Sequence, residues 1–270
     1  MIVGARPGNT PSKVLPPSSR LALRKLDRPT NSPAPDEVAC SCRGPESHIH
    51  EFMSLSSTDK GLLTPSNCVV IFIDHQPQMF FGVASMDRQD LINNLLVLAK
   101  SAKIFHLPVI LTAVISTVFS GRITQQLLDL FPEYAPIERS CINAWDDQKV
   151  VAALKETGRK NFLIAALWSE THLTFPALQM LDEGYGVYVV EDASGGTSRG
   201  AHDAAIRRIE QAGGVSVTAL QVLFEFQRDW SRLEHYDEVM AVVKDHCGAC
   251  GQGIEYASTI IHKAAVGQKL

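Results

Sequence analysis

From Asn161 to Leu178 the chain reads NFLIAALWSETHLTFPAL, and this stretch constrains the fold most. Phe162 to Leu167 is an unbroken apolar run of strand length, as found in a sheet buried on both faces. Trp168-Ser169-Glu170 then end the run, and Leu173, Pro176, Leu178, Met180 and Leu181 follow as a helical pattern. A buried strand feeding a helix sets backbone N–H groups and polar side chains at the carboxyl edge of a parallel sheet. In open α/β folds that edge is where ligands sit.

The same alternation recurs on either side. Val69 to Ile73 is a continuous apolar run ending in the polar turn Asp74-His75-Gln76-Pro77. The pattern predicts a helix from Leu91 to Phe105, a strand from Pro108 to Ala113 and a short helix from Ile123 to Leu130. A weak strand is expected at Ala135 to Arg139, then a helix from Gln148 to Glu156 closed by Gly158. After the helix that ends at Gly184 come a strand from Gly186 to Glu191 and a helix from Ala201 to Ala212. A short strand at Val215 to Val217 and a helix from Ala219 to Trp230 complete the series. Short apolar strands alternating with helices read as βαβ units with right-handed crossovers. One domain is expected over about residues 66–232.

The flanks differ in character. Nine of the 14 prolines fall within residues 1–66, where they break helices and remove ladder donors. Residues 1–60 therefore read as a disordered or loosely attached tail, with Met53 an alternative start. Arg6, Lys13, Arg20, Arg24 and Lys25 precede the first acid, as in a transit peptide, but four prolines interrupt any amphipathic helix there. Cys40, Cys42, His48 and His50 are zinc-ligand types without a hydrophobic frame. Residues 233–270 form a C-terminal extension with a helix expected over Tyr236 to Lys244. Its Cys247-Gly248-Ala249-Cys250 reads as a glycine-rich turn with two free thiols rather than a redox or zinc motif.

Composition excludes several classes of function. A formal net charge of −4 gives no electrostatic case for nucleic acid or an anionic membrane. No apolar run approaches the roughly 20 residues that span a bilayer. Six cysteines in 270 residues do not make a small disulfide scaffold, so a reducing, cytoplasmic setting is expected. No dinucleotide fingerprint follows the first strand, and Gly195-Gly196-Thr197-Ser198-Arg199-Gly200 matches neither GxGxxG nor the P-loop spacing. That loop reads as a flexible turn, with a phosphate cradle the alternative.

Three residues stand where chemistry is expected. Asp74 ends a fully apolar strand, where partial desolvation lifts a carboxyl toward acid/base use; the alternative is an Asp that caps a turn. His172 lies in the first turn after the central strand, as a catalyst or as a packed core histidine. Arg139 follows the weak third strand and alone is a charged loop residue.

Taken together the stretches VVIFIDHQPQMF, HLPVILTAV, INAWDD, LIAALWSETHLTFPALQMLDEGYGVYVVEDASG, HDAAIRRIEQAGG and FQRDW resemble the isochorismatase-like (cysteine hydrolase) superfamily, and within it the YcaC-like hydrolases. The resemblance implies a three-layer α/β/α, Rossmann-like domain with a six-stranded parallel sheet in the order 3-2-1-4-5-6. It puts Asp74 opposite Trp168–His172 at the topological switch point. It also implies a catalytic set of Asp74, Arg139 (across a one-residue gap) and a cysteine at the position of His172. Gln76, Asn143, Trp168 and Ser169 flank these three and are the expected substrate-binding residues. A small-molecule substrate, self-association into a homo-oligomer, and no cofactor or metal are expected.

His172 in the cysteine's place removes the thiolate that a thioester route needs. Cys141, near Arg139, lies away from the helix start and its oxyanion donors. Three readings stand: a cysteine-independent hydrolase using Asp74 as acid, with Arg139 holding an anionic substrate and His172 orienting water; a lapsed enzyme kept for binding or assembly; and an amide hydrolase with another nucleophile.

Overall fold

The computed structural model describes residues 61–261. The readings made of the proline-rich tail, of Cys40, Cys42, His48 and His50, and of Met53 lie outside those residues.

The apolar runs become the middle of one sheet. β1 (Cys68–Ile73) is buried at every position and pairs in parallel with β2 (Val109–Val114) on one side and β4 (Asn161–Ala166) on the other. β3 (Ile137–Arg139) continues past β2, while β5 (Gly186–Val190) and β6 (Val215–Val217) continue past β4. The described strands thus form a six-stranded, all-parallel sheet in the order β3-β2-β1-β4-β5-β6. The strand order reverses between β1 and β4, so the carboxyl ends of those two strands open the crevice.

Side chains alternate along β1 into two cores. Cys68, Val70 and Phe72 join the cluster beneath α2 (Arg88–Ile104) and α7 (Ala219–Gln227). Val69, Ile71 and Ile73 join the cluster beneath α4 (Gln148–Glu156), α5 (Thr174–Asp182) and α6 (Arg199–Gln211). Each fully buried Val, Ile or Phe contributes roughly 1.5–3 kcal/mol over its exposed state, which is why strands without a polar face hold the centre. β3 is short because Pro136 precedes it and Arg139 must leave the sheet for the crevice.

Helix starts follow their capping residues. Asp87 accepts from the N–H groups of Gln89 and Asp90 ahead of α2, and Asp147 accepts from Lys149 and Val150 ahead of α4. The short helix α3 runs Gln125–Leu130. The helix expected to reach Trp230 stops at Gln227, where Arg228 takes a φ of +62°.

Two elements differ from the sequence reading. Pro77–Phe81 is a one-turn helix, α1, rather than a polar turn; Pro77 sits in its first turn, where a missing N–H is harmless. The CxxC segment is helical rather than a glycine-rich turn: α8 (Tyr236–His246) is followed at Cys247 by α9 (Gly248–Tyr256). Gly251 allows this packing, because a Cβ there would lie 2.5 Å from the Val243 carbonyl oxygen. Val239, Val242 and Val243 of α8 are buried in the same cluster as α2 and α7. No described helix is long and apolar enough to cross a membrane.

Candidate functional site

Three residues far apart in sequence meet at the carboxyl edge. Asp74 leaves β1 with a φ of +58°, its N–H bonded to Thr112 O at 3.0 Å. The left-handed turn is one that Asp tolerates better than most residues. Arg139 ends β3, paired with Val114 of β2, and reaches across to donate to Asp74 Oδ2. The same guanidinium donates to the carbonyls of Cys141 and Ile142, the latter at 3.2 Å. His172 lies in a wide π-helical turn, Ser169–Leu173, between β4 and α5. Its Nδ1 is 3.0 Å from Asp74 Oδ2 and 2.6 Å from Leu167 O.

Burial sets the electrostatics. The side chains of Asp74 and Arg139 are wholly buried and that of His172 is 7% exposed. Desolvation pushes the Asp74 carboxyl up to about 7, against the pull of the Arg139 cation. Burial also holds His172 below its ordinary range, helped by repulsion from Arg139. Burial thus disfavours the charged ring, and Nδ1 stands between two oxygens, Asp74 Oδ2 and Leu167 O, and the Trp168 N–H at 3.3 Å. Asp74 Oδ2 serves both neighbours, whereas Oδ1 is buried without a partner.

The four flanking residues make mostly internal bonds. Gln76 donates through Nε2 to Val114 O and accepts at Oε1 from Val114 N–H, standing in for a peptide beside β2. Asn143 accepts from Trp145 N–H and donates to Asp146 and Gln179. Trp168 donates its indole N–H to Met79 O at 2.9 Å and lies parallel to the His172 ring at 6.3 Å. Ser169 is completely buried, with Oγ 2.7 Å from His202 Nδ1. That pair has the spacing of a nucleophile and base, and like the Asp74 carboxyl it is closed off from solvent.

Sequence reasoning passed over the clamp that holds this turn. Gly195 O accepts from Ser169 N–H, and Gly195 N–H donates to Ala166 O. Glu170 Oε1 accepts from both the N–H and the hydroxyl of Thr197. Gly196 N–H donates to Ser85 Oγ at 3.0 Å. The N–H groups of Gly195, Gly196 and Thr197 are thus spent on the protein, which makes the first half of the glycine-rich loop a clamp. The usable signal was its position after β5, next in the sheet to the strand that bears His172. Cys141 is half-buried, and burial raises its thiol above the ordinary range, the reverse of an activated nucleophile.

Residues 68–221 match the family model described as the isochorismatase domain. The chain belongs to the isochorismatase family. Within it, the probable hydrolase YcaC of Escherichia coli (strain K12) is 37% identical over 169 residues, spanning 62% of this chain and 81% of that relative. The structure of YcaC from Pseudomonas aeruginosa, with hexane-2,5-diol and covalent acrylamide, superposes with a TM-score of 0.71 at 34% identity, covering 74% of this chain and 98% of that one. The Escherichia coli YcaC structure, an octameric hydrolase of unknown specificity, gives a TM-score of 0.71 at 32% identity over 74% and 98% of the two chains. This isochorismatase-family chain is thus a YcaC-like member of a hydrolase family.

Proposed function

We propose that the chain hydrolyses the vinyl ether of a small organic acid by acid catalysis at Asp74, without a cysteine nucleophile. The observation that carries this reading is the division of labour on the Asp74 carboxyl: Oδ2 is bonded to Arg139 and His172, while Oδ1 is desolvated and unpartnered. A carboxyl raised to about 7 holds a proton near neutrality. Delivered from Oδ1 to the methylene carbon of an enol ether, that proton generates an oxocarbenium ion. The carboxylate left behind is stabilised by Arg139. Water then adds to the cation and gives its proton to His172 Nε2, which has no hydrogen-bond partner among the described residues. The hemiketal so formed collapses to a ketone and an alcohol. Arg139 also draws an anionic substrate toward the crevice.

A second reading, a lapsed enzyme kept for binding or assembly, is favoured by the complete burial of Asp74 and Arg139. Turnover by the full chain on isochorismate and on a panel of small primary amides separates the two. Activity in the parent that disappears in Asp74→Asn supports acid catalysis. An inert parent whose His172→Cys variant gains amide hydrolysis supports the lapsed site. Inertness of all three proteins removes the hydrolase reading. We also propose that the chain self-associates, as the octameric YcaC does; light scattering on the purified protein tests this.

A further inference from the structure

The turn that carries His172 is anchored to a second cavity. A space of about 480 Å³ lies between α2, the 3-10 turn Glu191–Ala193 and α6, within the roughly 300–1,000 Å³ of small-molecule sites. Five carboxylates line it: Asp90, Glu191, Asp192, Asp203 and Glu210. Arg199 and Arg207 are its cations, so acids exceed them by three. Arg199 is already taken by Asp203, at 3.2 Å. Glu191 accepts from the Ser216 hydroxyl and Asp192 from Ala219 N–H, yet Asp90 and Glu210 have no side-chain partner among the described residues.

His202 makes this more than an acidic patch. It is 6% exposed and lines the cavity, with Nδ1 bonded to Ser169 Oγ. Its Nε2 has no hydrogen-bond partner among the described residues. With the ring proton on Nδ1 and given to Ser169, the Nε2 lone pair accepts a donor from the cavity. Among the described residues no three His, Cys, Asp or Glu side chains are arranged to hold a metal ion. The walls thus call for a ligand that donates hydrogen bonds, carries positive charge and fills a volume larger than an ion.

We propose that this cavity binds a small aliphatic diamine, one ammonium group donating to His202 Nε2 and the other held among the carboxylates. Neither contact uses Asp74, Arg139 or His172, so the site stands whether or not the chain is a hydrolase. Isothermal titration of the full chain with 1,4-diaminobutane tests it, with butane-1,4-diol as the uncharged match. Saturable binding of one diamine per chain, and none of the diol, is expected. Asp90→Asn combined with Glu210→Gln changes two exposed side chains and is expected to weaken binding at least tenfold. His202→Gln, which leaves every carboxylate in place, is expected to weaken it as well. Absence of saturable binding, an equal response to the diol, or undiminished binding in either variant overturns the proposal.

Discussion

Arg139→Met removes the cation bonded to Asp74 and keeps a side chain of similar reach. The guanidinium is wholly buried and has three acceptors, Asp74 Oδ2 and the carbonyls of Cys141 and Ile142. Removing one partner of a buried ion pair costs ~3–5 kcal/mol when the remaining charge persists. Asp74 escapes that cost by holding a proton. Its carboxyl is already lifted from 3.8 to about 7 with Arg139 present, and loss of the cation lifts it further. A carboxyl raised in the folded state has its full stabilising effect below the unfolded value and loses it as pH rises through the folded one. In the parent this loss runs from about pH 4 to about pH 7 and then levels off. In the variant it continues above pH 7, at ~1.4 kcal/mol per pH unit. Near pH 6 the deficit is that of the lost hydrogen bonds, about 2 kcal/mol; by pH 8.5 it grows to about 4 kcal/mol. Urea unfolding at fixed chain concentration, which holds any subunit association constant, measures both values. A deficit that is flat or shrinks between pH 6 and pH 8.5 refutes the argument.

Three further outcomes are expected. Burial holds the completely enclosed His75 down at about 4, so the stability it allows is present above pH 6.5 and lost as pH falls toward 4; His75→Gln is expected to move the acid-unfolding midpoint lower, measured by circular dichroism. Phe162→Ala empties a fully buried position stacked on Tyr185 at 4.5 Å and is expected to cost ~3–5 kcal/mol in urea unfolding. Gly195→Ala sets a methyl 2.8 Å from Val83 Cγ1 and 2.9 Å from its Cγ2. It is expected to cost ~1–3 kcal/mol and to speed amide exchange at Ser169, whose N–H bonds to Gly195 O.

The centre of the sheet was legible because nothing else buries Val69 to Ile73 and Phe162 to Leu167 so completely. Helix α4 was legible at both ends, since Asp147 caps its start and Gly158 follows its close. The helix α9 was not, because Gly248, Gly251 and Gly253 lower helix propensity and the close approach that needs Gly251 is a tertiary fact. At the candidate site, Asp74, Arg139 and His172 were each visible as polar residues at strand ends, and topology brings them together. Ser169 with His202, and Glu170 with Thr197, were invisible: their partners lie 33 and 27 residues away with no periodic signal. Gln76 and Asn143 stood at the expected crevice but turn their amides to backbone groups and neighbours left unpaired there.

The Ser169–Leu173 turn works as a surveyed mount. Ser169 is tied to His202 of α6 and to Gly195, and Glu170 is tied to Thr197. His172 N–H and Thr171 N–H share the Trp168 carbonyl. All of these ties are made by neighbours of His172 or by backbone atoms, so the station of residue 172 is surveyed independently of its side chain. Chemistry at that station is interchangeable in a way that its position is not. Exchanging one side chain redefines what the crevice does, while exchanging Ser169 or Glu170 displaces whatever stands there.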